Sequence, residues 1–419
     1  MQDNLTLQQP LLPAHQAITR KFFSLWTIVY VYTFFAISQF GIPAPFLEHF
    51  VIWFGTACFH LKDLHKITNT GSGDTTYDYV LLFMGMLFSL LLSIIILIID
   101  RKRPNYRQLY LFTIVIARYY VFFTMALYGM SKLFNGQFPA NTYSRLDETV
   151  GNMSPMGMVW TFMGASRAYT FVSGLLEFTG GILLLFRKTK TVGALFSMAV
   201  MLNVTLLNYM YDVPVKIFST HIVLLCVFIL SYDWITLYNF FIRHRSVKLD
   251  YNKLRVKKAW MQITLRVIKF IVVVGTIGFA LSELWDTLTE VPVPMEGVYT
   301  VRTFIIHNDT LPPIENKNDS TGWSKMYADF ANWISFKTNA GQTVWKNAKI
   351  DTVKKTFNLS NADSTQFAFL NYTIKNDTVT FKGMLQKDTV TIITTRKLKK
   401  DFLLTSRGFH WTNEYPANR

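Results

Sequence analysis

The sequence predicts an α-helical polytopic membrane bundle of about seven transmembrane helices, followed by a small all-β extracytoplasmic domain, a barrel or a sandwich. Three observations carry this. Charged residues make up 16% of the 419 residues and hydrophobic residues 51%, where soluble proteins carry about 25% charged. The apolar residues gather in runs of about 20, the length that crosses a bilayer as a helix. From Gly297 onward the runs stop, and β-branched residues alternate with polar ones.

The spans fall at residues 22–40, 79–99, 110–133, 168–186, 192–210, 217–240 and 267–284. A further apolar stretch, Phe46–Phe59, is short, contains Glu48 and His49 and follows Pro45, which fits an interfacial or re-entrant segment better than a span. The first twenty residues are polar, and the first apolar run lacks a small-residue cleavage site, so that run is expected to stay as an anchor.

The net charge is +16. Its distribution argues for membrane topology, with the lipid bilayer as partner and no nucleic acid. With Arg20 and Lys21 placed in the cytoplasm, the clusters at 101–103, 187–190 and 243–258 all fall on the same side, and the opposite loops carry few positives. A spanning segment at residue 46 would break that alternation. The expected arrangement is a multi-pass protein, in a bacterial inner membrane, with a cytoplasmic N-terminus and the C-terminal domain outside the cytoplasm.

In the C-terminal domain, strands are predicted at 298–301, 367–373, 378–382 and 390–395, with turns at Lys375-Asn376-Asp377 and Gln386-Lys387-Asp388. Residues 323–333 are expected to form a short helix, and the aromatic-rich end at 407–416 a closing strand. The opening Glu296-Gly297-Val298-Tyr299 is similar to the Gly-x-aromatic start of small β-barrels such as lipocalins. Asn-x-Ser/Thr triplets begin at Asn308, Asn318, Asn358, Asn371 and Asn376. They are glycosylation acceptors in a secretory eukaryotic context and also arise by chance in an Asn/Thr-rich domain.

The chain therefore divides into a cytoplasmic tail (1–20), accessory helices (21–109), a four-helix core (110–241), a basic loop with the last span (242–290) and the extracytoplasmic β-rich domain (291–419).

Ionisable and amide groups inside apolar runs are the candidate functional residues, because burying them in hydrocarbon is costly. Arg118 lies roughly 12 Å and Glu177 roughly 13 Å from the same end of the bundle, counted along their helices from the run boundaries. A deep Arg118–Glu177 pair with Asn203 near its level is the expectation, either as a buried polar core or as a ligand or proton site. Nearer the opposite face lie Tyr128, Lys132, Arg167, Asn208, Asp212 and His221. They are candidates for ligand binding or proton relay; interfacial snorkelling and aromatic belts explain some of them equally well. Gly174, Gly180, Gly181 and Gly193 permit close helix approach. Catalytic residues are unknown, and no metal site is expected. The two cysteines, Cys58 and Cys226, form no Cys-x-x-Cys, and no pair of bundle histidines has metal-ligand spacing.

Two stretches carry a family resemblance. Residues 117–134, ARYYVFFTMALYGMSKLF, and residues 174–204, GLLEFTGGILLLFRKTKTVGALFSMAVMLNV, resemble consecutive helices of DoxX-like membrane proteins. Arg118, Gly129, Lys132, Glu177, Gly180 and Gly181 fit the pattern, and the likeness covers about 110–240. It implies a quinone-linked redox component, an oxidoreductase component binding a lipophilic ligand such as a quinone within the bundle. The additional spans, the long loop at 137–167 and the β-domain depart from the family. The absence of any nucleophile–base set in the sequence leaves a second expectation open. This is a non-enzymatic membrane anchor or assembly factor whose outer domain binds an envelope protein, where the first reading would have a redox partner.

Overall fold

The structure, a computed structural model, describes residues 14–40, 45–67, 73–134, 136–247, 257–307, 309–311 and 322–415. Asn308, Asn318 and Pro416 lie outside the described residues, as do most of the N-terminal tail and the middle of the basic loop. The chain forms two compact units, Met1–Phe134 with Phe171–Glu283, and Asn135–Thr170 with Leu284–Arg419. The long loop expected at 137–167 thus groups with the β-domain.

The first unit is helical. It contains α1 (Ala14–Phe40), α2 (Pro45–Phe59), α3 (Thr76–Ile99) and α4 (Arg107–Leu133). In the second unit, α5 (Tyr143–Leu146) and α6 (Pro155–Ala165) follow, then α7 (Arg167–Leu185) crosses into the bundle. The bundle continues with α8 (Lys190–Met210), α9 (Lys216–Leu230), a 3₁₀ turn at Ser231–Asp233, α10 (Trp234–Phe241) and α11 (Ala259–Leu288). Six stretches among the described residues are helical, long and apolar enough to cross a membrane: α3, α4, α7, α8, α9 with α10, and α11. The 27-residue α1 covers the first predicted span. The chain is a multi-pass membrane protein.

Local sequence sets these helices. Thr75 and Asp78 form a reciprocal capping box at the start of α3. The Met153-Ser154-Pro155-Met156 turn starts α6, with the Ser154 hydroxyl accepting the Gly157 N–H and Pro155 in the first turn. The short α2 packs Val51 against Tyr77 and Val80 of α3.

The helix α4 is central: most of it is buried within the protein, whereas little of α11 is. Ile114, Val121, Phe122 and Met125 of α4 meet Leu184, Ala194, Ile222 and Ile229 from α7, α8 and α9. The backbones of α4 and α7 touch where glycines face each other. A Cβ at Gly174 would stand 2.6 Å from the Gly129 carbonyl oxygen, and one at Gly129 would stand 2.8 Å from that of Gly174. Small residues that let helices approach are the usual means of association in lipid, where burying apolar surface offers little gain.

In the second unit β1 (Gly297–Ile306), β2 (Asp309–Leu311), β3 (Trp323–Phe330), β4 (Trp333–Thr338), β5 (Thr343–Asp351), β6 (Thr356–Ser360), β7 (Gln366–Lys375), β8 (Thr378–Leu385) and β9 (Asp388–Lys397) pair antiparallel in one sheet. Pairing of β1 with β9 closes it, from Val298↔Lys397 to Ile306↔Val390. The result is an eight-stranded up-and-down barrel, with β2 added beside β1. The turns read at Asn376 and Gln386 are there, each with a positive φ (55° and 54°).

Two expectations in this unit are corrected. Residues 323–333 form β3 and the turn into β4, because Trp323 and, after a register shift, Met326 and Ala328 point into the barrel core with Ile334 and Phe336. Residues 407–415 form no strand, since β9 already supplies the closing edge, and Phe409, Trp411 and Tyr415 are exposed.

Candidate functional site

A groove of about 1110 Å³ runs between α1, the start of α4 and α9. Its body is apolar, lined by Phe23, Val31, Leu224 and Val227, and Arg20, Lys21 and Arg107 stand at one end. Ten residues further along α1 from Arg20, roughly 15 Å of helix rise, Tyr30 joins the lining and meets His221.

His221 is held from three sides. Its Nδ1 lies 2.7 Å from the Ile217 carbonyl oxygen. A carbonyl only accepts, so Nδ1 carries a proton, and in the neutral imidazole Nε2 is then an acceptor. The Tyr30 hydroxyl lies 2.7 Å from that Nε2 and donates to it. The imidazole stacks on the Phe34 ring, centroids 4.1 Å apart and planes 6° from parallel. The pattern holds an imidazole against a phenol whose oxygen keeps lone pairs available.

The position of His221 depends on the start of α9. Asp74, just before α3, accepts the backbone N–H groups of Lys216 and Ile217. This supplies from a distant loop the acceptor that an N-terminal turn needs. At the basic end, the Tyr110 hydroxyl and the Ser231 hydroxyl are hydrogen-bonded at 2.5 Å, and Lys21 Nζ donates to the Asp100 carbonyl oxygen at 3.1 Å.

The other sequence candidates separate. Glu177 is 1% exposed and takes both its bonds from Lys132, whose Nζ lies 2.6 Å from Oε1 and from Oε2. Arg118, also 1% exposed, donates Nε and Nη2 to the Leu184 carbonyl oxygen at 3.0 and 2.7 Å. The expected Arg118–Glu177 pair is therefore not formed. The depth count started both helices at one plane, whereas Arg118, eleven residues into α4, is level with Leu184 at the very end of α7. Asn203 faces outward on α8 and takes no part in a buried polar core.

Tyr128 is 42% exposed, with its ring 6.2 Å from that of Phe218 and 6.0 Å from Lys132 Nζ. Asn208 is buried with its Nδ2 lacking a partner. Asp212, 82% exposed in its side chain, pairs with Lys216 one turn on at 2.6 Å. Arg167 belongs to the second unit. Of the six outer candidates only His221 lines the groove.

Sequence reading missed Tyr30, Asp74 and a second buried pair. Lys190 on α8 is bonded to Asp233, which also accepts the Thr191 hydroxyl. An aspartate inside the apolar run 217–240 is the signal that could have found it. Tyr30 gave none, since tyrosine is ordinary in a membrane helix.

The barrel interior is filled: the cavity between Trp323, Phe357 and Phe381 measures about 10 Å³, and a concavity of about 530 Å³ lies at Asn332, Asn347, Asn358 and Gln366. Its outer side is held to residues 135–170. Asp147 accepts from Lys325 Nζ at 2.6 Å and from the Tyr327 hydroxyl at 3.0 Å, and Asp329 accepts the Tyr143 and Ser144 backbone N–H groups.

A comparison with curated proteins finds similarity to the uncharacterized protein YwoB of Bacillus subtilis, 31% identical over 116 residues, 28% of this chain and 73% of that one. The chain belongs to the YwoB family. No family model and no solved structure matches it.

Proposed function

We propose that this protein is a DoxX-like membrane component that binds a lipophilic, quinone-like ligand in the groove between α1, α4 and α9, as part of a quinone-linked redox system. The observation that carries the reading is the Tyr30–His221 pair facing an apolar groove of about 1110 Å³. A ligand hydroxyl donating to the Tyr30 oxygen would sit at the head of a short relay, because the tyrosine's own proton already points at a neutral imidazole nitrogen. Sites that bind small apolar molecules combine an apolar wall with a few placed polar groups.

In the orientation we propose, the N-terminus and the basic end of the groove are cytoplasmic, and the barrel is extracytoplasmic at a bacterial inner membrane. The grouping of basic clusters on alternate connections supports it. Crosslinking of the purified full chain with a photoreactive quinone analogue tests the ligand. Label is expected on α1 and α9 near Tyr30 and His221, and Tyr30→Phe with His221→Gln should lower it about tenfold or more, the loss of charge-free hydrogen bonds in a dry site. Label distributed over lipid-facing residues and unchanged in the variant would rule the groove out.

A second reading, a membrane anchor or assembly factor, is favoured by the barrel. Its interior is filled, yet Phe330, Trp333 and Trp345 are 46%, 43% and 48% exposed on its outside. Exposed aromatics grouped in this way suit a protein partner in the envelope. If the Tyr30/His221 variant complements a deletion while Trp333→Ala with Trp345→Ala does not, this reading replaces the first.

A further inference from the structure

A second concavity of the bundle, about 580 Å³, opens between α4, the end of α7 and α11, away from the groove's lining residues. Four of the side chains around it are cationic: Arg118, Arg187, Arg266 and Lys269. None of its lining residues is acidic among the described residues. Such a concentration of like charge is unfavourable unless something negative occupies the space between the charges.

Arg118 makes the point sharper. Among the described residues it is the largest fully buried side chain, and both its hydrogen bonds go to one neutral carbonyl. The guanidinium charge is therefore desolvated without a counter-charge. The buried lysines of the bundle each have one among the described residues, Lys132 in Glu177 and Lys190 in Asp233. Burying a cation without an anion is costly, and proteins normally pair it. Arg187, Arg266 and Lys269 are exposed at the rim, so the cavity is accessible from outside. The polar Gln262 and Tyr119 share the lining with Val115, Leu185, Phe186 and Leu265. A polar anion with an apolar appendage would meet both kinds of surface.

We infer that this cavity binds a phosphate group, held by Arg187, Arg266 and Lys269 at the rim and neutralising Arg118 behind them. Guanidinium forks suit phosphate oxygens, and three arginines with one lysine match the charge of one or two phosphates. The phosphate could belong to an anionic lipid headgroup or to a soluble phosphate compound; the chemistry of recognition is the same.

The test uses the full chain purified in detergent. One arm measures retention of phosphatidylglycerol against phosphatidylcholine by native mass spectrometry. The other measures pyrophosphate binding by thermophoresis in lipid-free detergent. The variant Arg187→Gln/Arg266→Gln/Lys269→Gln leaves buried Arg118 in place. The comparison variant Arg101→Gln/Lys102→Gln/Arg243→Gln removes the same charge from residues that line neither concavity.

At least one phosphate probe is expected to bind, and the rim variant should weaken it about tenfold or more while the comparison variant changes it less than about threefold. Retention of phosphatidylglycerol alone assigns the site to a lipid, and pyrophosphate binding assigns it to a soluble phosphate. Binding of neither probe, or equal losses in the two variants, overturns the inference.

Discussion

Inside the barrel, Trp323, Phe336, Phe357 and Phe381 close on one another until about 10 Å³ remains. Between α1, α4 and α9, Tyr30, Phe34 and Phe228 line a groove of about 1110 Å³. Both regions are rich in aromatic side chains, and the difference comes from how backbone directs them. In an eight-stranded barrel every second residue points at the same axis, and the interior is just wide enough for side chains to fill it. Helices meet along stripes, so three of them can touch at some levels and part at others. The barrel interior is thus filled, whereas the bundle keeps a groove between its helices. Polarity follows the same division. The barrel core is a hydrophobic cluster, whereas the bundle buries Arg118, Lys132, Glu177, Lys190 and Asp233.

Breaking a buried pair in the bundle should have the largest effect. Glu177→Gln leaves the Lys132 ammonium without its carboxylate in a site where both are nearly fully buried. A loss of about 3–5 kcal/mol is expected in chemical or thermal unfolding in detergent. Lys132→Met combined with Glu177→Leu should recover most of it. If the double variant is as unstable as the single, the charge itself is needed, which would point to a ligand or proton role for this pair.

In the barrel, Leu359→Ala removes a 1% exposed side chain from a core without slack and should cost about 2–5 kcal/mol in unfolding. The sharper expectation concerns ligand: quinone-analogue crosslinking in the groove should be unchanged in folded protein. A smaller effect is expected at the start of α9. Asp74→Ala removes the acceptor for the Lys216 and Ile217 N–H groups and should cost about 1 kcal/mol. It should also lower crosslinking near His221, because the same turn positions the imidazole.

An effect confined to high pH, and absent at neutral pH, is expected in the second unit. Burial, then neighbouring Glu296, pushes the Tyr143 hydroxyl from 10.0 up to about 12. The folded state holds this proton more tightly than the unfolded chain. The stability it contributes is therefore complete below pH 10.0 and is lost as pH rises from there through about 12. Burial also pushes the Tyr299 and Tyr327 hydroxyls up, so tyrosinate absorbance should show several late-titrating groups and lose one of them in Tyr143→Phe; an unchanged titration in that variant would exclude this assignment.

Several features were legible before any coordinates. The helical stretches, the barrel turns at Asn376 and Gln386 and the close approach at Gly174 follow from local rules: run length, turn chemistry and the lack of a side chain. His221 was picked out because an ionisable group in an apolar run is costly, and that reasoning holds for any packing. Its partner was another matter. Tyr30 is 191 residues away, and nothing in either helix specifies their contact. The 323–333 segment was misread because two short strands and a tight turn there have no clear period, and pairing with β1 and β5 decides its state.

The sequence by itself determined that this is a multi-pass membrane protein with a β-rich end, because hydropathy and alternation are properties of consecutive residues. Only the tertiary structure decided that Glu177 binds Lys132, that Arg118 reaches the Leu184 carbonyl and that the groove and the basic cavity exist. The physical reason is the stagger between helices. A shift of one helix along another leaves each hydropathy profile intact, yet it changes every partner in the bundle.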